Sequence, residues 1–102
     1  MPRIRKSTPP PDVAALKARL AELKRQMKAL GVVMRGSVVV IGVRHKQAYF
    51  SLNKDGKTQL IYLGQKREGQ ARQYSDNYRH LRQIVEEMTT ITMTLLQWDA
   101  CP

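Results

Sequence analysis

The sequence predicts an α+β fold: an N-terminal helix, a three-stranded antiparallel β-meander and a long C-terminal helix. Three observations carry this. Apolar residues recur at steps of three and four from Val13 to Leu30. A β-branched run and an Asp-Gly turn lie between Val38 and Leu63. Two overlapping rows of three-and-four spacing run from Tyr74 to Leu95. Such spacing keeps side chains on one face of a helix, whereas β-branched runs punctuated by turn residues favour strands.

Residues 1–11, MPRIRKSTPPP, hold three consecutive prolines and three cations, so they read as a disordered basic arm. Asp12 then stands where a helix N-cap belongs. Val13, Leu16, Leu20, Leu23, Met27 and Leu30 form a heptad seam, closed by Gly31, and predict a helix over 12–30. Lys17, Arg19, Lys24, Arg25 and Lys28 occupy its other faces, with Glu22 as the only acid after the cap. Val38–Val43 is a first strand, with Gly42 marking a bulge or a close backbone approach. Arg44-His45-Lys46 reads as a turn. Gln47–Asn53 is a second strand, Lys54-Asp55-Gly56-Lys57 a tight hairpin, and Thr58–Leu63 a third strand ended by Gly64. The C-terminal helix begins at Ser75 or Asp76, or earlier, because Ala71 and Gln73 also suit a helix. Thr90–Leu95 alternates polar and apolar residues as a strand does. Helix is preferred there, because the apolar rows pass through it without a Gly or Pro.

Length and charge narrow the function. A chain of 102 residues fits one domain, placed at 12–98 with a tail at 99–102, and its core is thin. Hydrophobic content of 42% is too high for a disordered chain. Eighteen Lys and Arg face eight Asp and Glu, a net +10. Residues 1–36 hold nine basic and two acidic residues, so +7; residues 37–65 hold four against one, so +3; residues 66–102 hold five against five. That asymmetry points to a polyanionic partner met by the N-terminal half. Nucleic acid, DNA or RNA, is the preferred partner; an anionic membrane surface and a plain solubility charge are the other readings. No secretory signal follows the basic arm, and the longest apolar stretch, Val38–Val43, is too short to span a bilayer. A cytoplasmic location without membrane association is therefore expected.

The expected footprint on nucleic acid is Arg3, Arg5, Lys6, Lys17, Lys24, Arg25, Lys28, Arg35, Arg44 and Lys46, acting mainly on phosphates. The sequence shows no helix-turn-helix spacing, zinc finger or RNP aromatic motif. Tyr49 and Phe50 face opposite sides of their strand, because successive strand residues alternate. Tyr49 or Tyr62 is either a stacking surface for bases or ordinary sheet packing. The alternative function is a protein-interaction or homodimerisation module using the coiled-coil seam Val13, Leu16, Leu20, Leu23, Met27 and Leu30. That seam also suits pairing with the C-terminal helix of the same chain. Catalysis finds no support. His45 and His80 are far apart without metal-ligand spacing, Cys101 is alone near the end, and Glu86 and Glu87 point in different directions on a helix. The expectation is a non-enzyme with no metal and no cofactor.

Arg35-Gly36-Ser37, Ala48-Tyr49-Phe50-Ser51-Leu52, Gly56-Lys57-Thr58, Tyr62-Leu63-Gly64, Asn77-Tyr78-Arg79 and Leu81-Arg82 follow one another in a telling order. This order resembles a small uncharacterised bacterial and phage-type domain family found near transposases and other mobile-element genes. The resemblance covers about residues 14–96. Its members begin with a Leu-rich helix and continue with an RGS strand, a Tyr-containing hairpin and an NYRxLR helix. Many carry a Cys-rich knuckle between the first two strands. Here that place, residues 42–47, contains no cysteine, so no metal-binding role carries over. The resemblance implies company with mobile DNA and no catalytic activity. It marks Arg35, Tyr49, Tyr78 and Arg79 as motif positions, of which Tyr78 suits the core and Arg35 and Arg79 equally suit structural ion pairs.

Overall fold

The computed structural model describes residues 10–100. Arg3, Arg5, Lys6 and Cys101, with most of the arm expected over 1–11, lie outside the described residues. The element order is α1 (Val13–Ala29), β1 (Ser37–Ile41), β2 (Gln47–Lys54), β3 (Lys57–Tyr62) and α2 (Gly64–Gln97), an α+β fold. The contacts of the described residues gather in two compact units. One holds the described residues of Met1–Ala29 and Arg82–Pro102, the other Leu30–Leu81, and α2 supplies residues to both.

In the helical unit, α1 starts where Asp12 Oδ1 accepts the Ala15 amide at 3.0 Å. This satisfies one of the amides a helix start leaves without a partner. Leu20 and Leu23 are buried within the chain, as are Ile84, Ile91 and Leu95 of α2. Val13, Leu16 and Leu30 are half-buried, and Met27 is exposed. The centre of the seam is thus used inside the chain. Thr90–Leu95 is helical. The Thr89, Thr90 and Thr94 hydroxyls donate to the carbonyls of Val85, Glu86 and Thr90 at 2.7, 3.1 and 3.1 Å, so the helix itself satisfies its threonines.

One fork joins the two helices of this unit. Arg19 Nε donates to Glu87 Oε2 at 2.5 Å and Arg19 Nη2 to Glu87 Oε1 at 2.9 Å. The guanidinium's hydrogen bonds hold the Glu87 carboxyl below the usual carboxylate range, and the carboxylate raises Arg19 in return. A depressed folded-state pKa contributes stability above the unfolded value, about 4.3 for Glu, and the contribution is lost as pH falls through the folded value. Glu87→Gln is therefore expected to flatten the acid limb of a pH-dependent thermal melt and to change stability little once pH lies below the folded value. An unchanged acid limb would remove Glu87 as its source.

In the sheet unit the strands run in the order β1-β2-β3, all antiparallel. The register aligns Val38, Phe50 and Ile61 in one row and Val39, Tyr49 and Tyr62 in the next. Lys54 opposes Lys57 across a two-residue hairpin in which Asp55 has φ 54° and Gly56 φ 73°. Positive φ at both central residues is the turn that matches strand twist, and Asp-Gly supplies it cheaply. Ala48, Phe50, Leu63 and Ala71 form the core, with Met34, Val38 and Leu52 packed against it. The link before β1 is stitched to α2: the Met34 amide donates to the Tyr74 carbonyl at 3.1 Å, Asn77 Nδ2 to the Val32 carbonyl at 2.9 Å, and Ser75 Oγ to the Gly36 carbonyl at 2.7 Å. Ser75 is 2% exposed, so its hydroxyl needs that partner. β3 is an edge strand exposed along its whole length, including Leu60, Ile61 and Tyr62.

Several boundaries differ from the sequence expectation. β1 ends at Ile41, and Val43 lies in the following turn at 97% exposure. β3 begins at Lys57 and ends at Tyr62. α2 begins at Gly64, well before Ser75 or Asp76, so Ser75 is an interior residue rather than a cap. Gly64 and Gly69 lie in its first two turns and its first turn holds no acid, which masks the helix in a propensity reading. Burial of one residue and local side-chain bonds supply what propensity lacks. Ala71 is buried in the core, Glu68 pairs with Arg72 at 2.8 Å, and Arg67 donates to the carbonyls of Leu63 and Tyr62 at 3.0 and 2.8 Å.

Candidate nucleic-acid interface

Among the described residues the two units carry different net charges. In the helical unit the described residues hold six basic side chains (Lys17, Arg19, Lys24, Arg25, Lys28, Arg82) against five acidic ones (Asp12, Glu22, Glu86, Glu87, Asp99), a net +1. Arg19 is held by Glu87, and Arg25 by Glu22. Lys17, Lys24 and Lys28 are exposed and belong to no ion pair among the described residues. The sheet unit holds nine basic side chains against three acidic ones, a net +6. Two of those acids are already matched, Glu68 by Arg72 and Asp76 by Arg79 at 3.1 Å. Arg35, Arg44, Lys46, Lys54, Lys57, Lys66 and Arg67 take part in no ion pair among the described residues.

These cations gather at the two ends of the sheet. At one end Arg44, His45 and Lys46, between β1 and β2, line an open cleft of about 530 Å³ together with Tyr62, Gly64, Gln65 and Glu68. α2 begins at this cleft with no acid in its first turn, so the partial positive charge of a helix start adds to the basic loop. At the other end Lys54 and Lys57 flank the hairpin, and Arg35 Nη1 donates to the Asn53 carbonyl at 3.1 Å. Of the footprint read from sequence, the fold therefore brings Arg35, Arg44 and Lys46 into the sheet unit. It leaves Lys17, Lys24, Arg25 and Lys28 on α1. Beside them the sheet unit carries Lys54 and Lys57, which the sequence places on either side of the Asp-Gly turn, and Lys66 and Arg67 at the start of α2.

Between the two ends lies the sheet face opposite the core. Alternation from the buried Phe50 puts Val39 and Ile41, Tyr49, Leu60 and Tyr62 on that face, with Ser37, Ser51, Asn53 and Thr58. None of them is charged. Ile41, Leu60 and Tyr62 are 47%, 50% and 47% exposed. The Tyr49 and Tyr62 rings meet edge to face, with centroids 5.5 Å apart and planes at 64°.

Other candidate positions have local roles. Arg79 pairs with Asp76, Tyr78 is half-buried, and Asn77 ties α2 to Val32. A smaller cavity of about 80 Å³, lined by Val38, Arg72, Ser75, Asp76 and Arg79, has its polar side chains already bonded. Among the described residues no group of three His, Cys, Asp or Glu side chains could hold a metal ion, and no helix is long and apolar enough to cross a membrane. No family model, curated protein or solved structure matches the chain.

Proposed function

We propose that this chain is a small cytoplasmic nucleic-acid-binding accessory protein that grips phosphates. The carrying observation is the sheet unit's net +6, with two of its three carboxylates already neutralised by neighbouring arginines. Unmatched cations at both ends of one sheet suit a polyanion lying along it, and the helical unit by itself exposes Lys17, Lys24 and Lys28. An association with mobile DNA rests on the motif order from Arg35-Gly36-Ser37 to Leu81-Arg82. Burial of Leu20 and Leu23 inside the chain withdraws the central residues that a dimerising seam would use.

Fluorescence anisotropy against labelled duplex and single-stranded oligonucleotides tests this. Binding is expected to weaken linearly on a log–log plot against salt. About five phosphate contacts correspond to a several-hundred-fold loss between about 50 and 200 mM. Lys54→Gln and Lys57→Gln are each expected to reduce the slope by about one. Absence of binding near 50 mM salt, or binding indifferent to salt, overturns the proposal.

A further inference from the structure

We infer that the uncharged outer face of the sheet is a stacking surface for the bases of a single-stranded nucleic acid. The inference rests on the nucleic-acid reading above and goes further by naming the form of the ligand. Phosphates alone are held by cations on any surface. An exposed aromatic and apolar platform between two basic ends is a more particular arrangement. Tyr62 is 47% exposed and rests against Tyr49, with Leu60 and Ile41 exposed on the same face. Arg44 and Lys46 stand at one end and Arg35 at the other, where Lys54 and Lys57, on Phe50's side by alternation, add charge at the hairpin edge. The eight residues of β2 separate those ends by about 26 Å, at about 3.3 Å per residue. Among the described residues of the sheet unit the one carboxylate outside an ion pair is Asp55 in the hairpin turn, where Lys54 and Lys57 flank it, and none of the residues on the outer face is charged. A duplex keeps its base faces stacked on one another, whereas a single strand presents them to aromatic side chains. Uncharged rings flanked by cations therefore complement the single strand: bases over Tyr62 and Tyr49, backbone toward the basic ends.

The test uses the whole chain with labelled oligo-dT and oligo-U of about ten nucleotides and a duplex of equal length, a size within the range that one sheet-based module covers. Wild type is expected to bind single strands more tightly than duplex, and the dT and U arms show whether the strand is DNA or RNA. Tyr62→Ala is expected to weaken single-strand binding by about five- to 150-fold, the loss of one stacked base, with the salt slope unchanged. Tyr62→Phe keeps the ring and is expected to stay within about threefold of wild type. Tyr62→Trp supplies a readout that does not depend on losing affinity: its added indole emission should be quenched when the strand binds, over the Trp98 signal of wild type. Unchanged single-strand affinity in Tyr62→Ala, or no quenching in Tyr62→Trp, overturns the inference while salt-dependent binding leaves the phosphate reading standing. A dimer seen by light scattering that Tyr62→Ala splits assigns the face to a second copy and also overturns it. Failure of wild type to bind any oligonucleotide removes both readings.

Discussion

Leu23→Asp is expected to abolish the cooperative thermal transition of the helical unit. Leu23 is 1% exposed, in a unit that also buries Leu20, Ile84, Ile91 and Leu95. The substitution removes a buried aliphatic side chain, which costs about 2–5 kcal/mol. It also places a carboxylate where water does not reach, at a further cost of several kcal/mol or the work of protonating it. A domain of this size has only about 5–15 kcal/mol in total. Met27, on the same seam but 37% exposed, provides the contrast: Met27→Asp should cost within about 1 kcal/mol. Circular dichroism melts and light scattering together read the result. A seam used within the chain loses helix and cooperativity on Leu23→Asp. A seam used between chains would release folded monomers instead, and a melt close to wild type would contradict the burial itself.

Gly36→Ala is expected to destabilise the sheet unit by roughly 2–6 kcal/mol. Gly36 has φ 130°, outside the range L side chains readily adopt. A Cβ there would stand 2.5 Å from Phe50 Cζ and 2.6 Å from the Ser51 carbonyl oxygen. Neither neighbour is free to move. Phe50 is 4% exposed in the core, Ser51 is paired with Ser37 across the sheet, and the Gly36 carbonyl itself accepts the buried Ser75 hydroxyl. Backbone strain of about 1–3 kcal/mol therefore adds to an overpacking cost of about 1–3 kcal/mol. Gly56→Ala isolates the backbone part. Its φ is 73°, but nothing lies within 4 Å of the added Cβ, so about 1–2 kcal/mol is expected. Urea titrations of the two variants give the comparison. Equal losses would mean that the close approach of Gly36 to Phe50 does not constrain the fold.

What the residues announced, and what they hid, follows from the range of the interactions involved. α1, the three strands and the Asp55-Gly56 hairpin depend on side-chain period and local dihedrals, and both are written in consecutive residues. The start of α2 depends on Ala71 meeting Phe50 and Leu63 and on Arg67 reaching the end of β3, so Gly64 and Gly69 disguised it. The partners of individual charges were hidden for the same reason. A count along the chain gives the opening third +7 but cannot show that Arg19 reaches Glu87 across 68 positions. Alternation showed that Tyr49 and Phe50 take opposite faces. Only the packing of Ala71 against Phe50 decides which face is covered and which keeps Tyr62 in water.

The outermost ribbon of the sheet sets a practical bound on handling the molecule. Lys57–Tyr62 offers its backbone amides and carbonyls to any similar ribbon, with greasy side chains on both sides, and Arg67 stoppers only the last carbonyl. Mutual repulsion among highly cationic copies is the chief guard against such zippering. Electrolyte at about 0.1 M shrinks the reach of that repulsion to about 10 Å. The brine that washes away bound oligonucleotide therefore also lets ribbons meet, so dilute, low-salt storage protects the protein in a way that concentrated high-salt stocks do not.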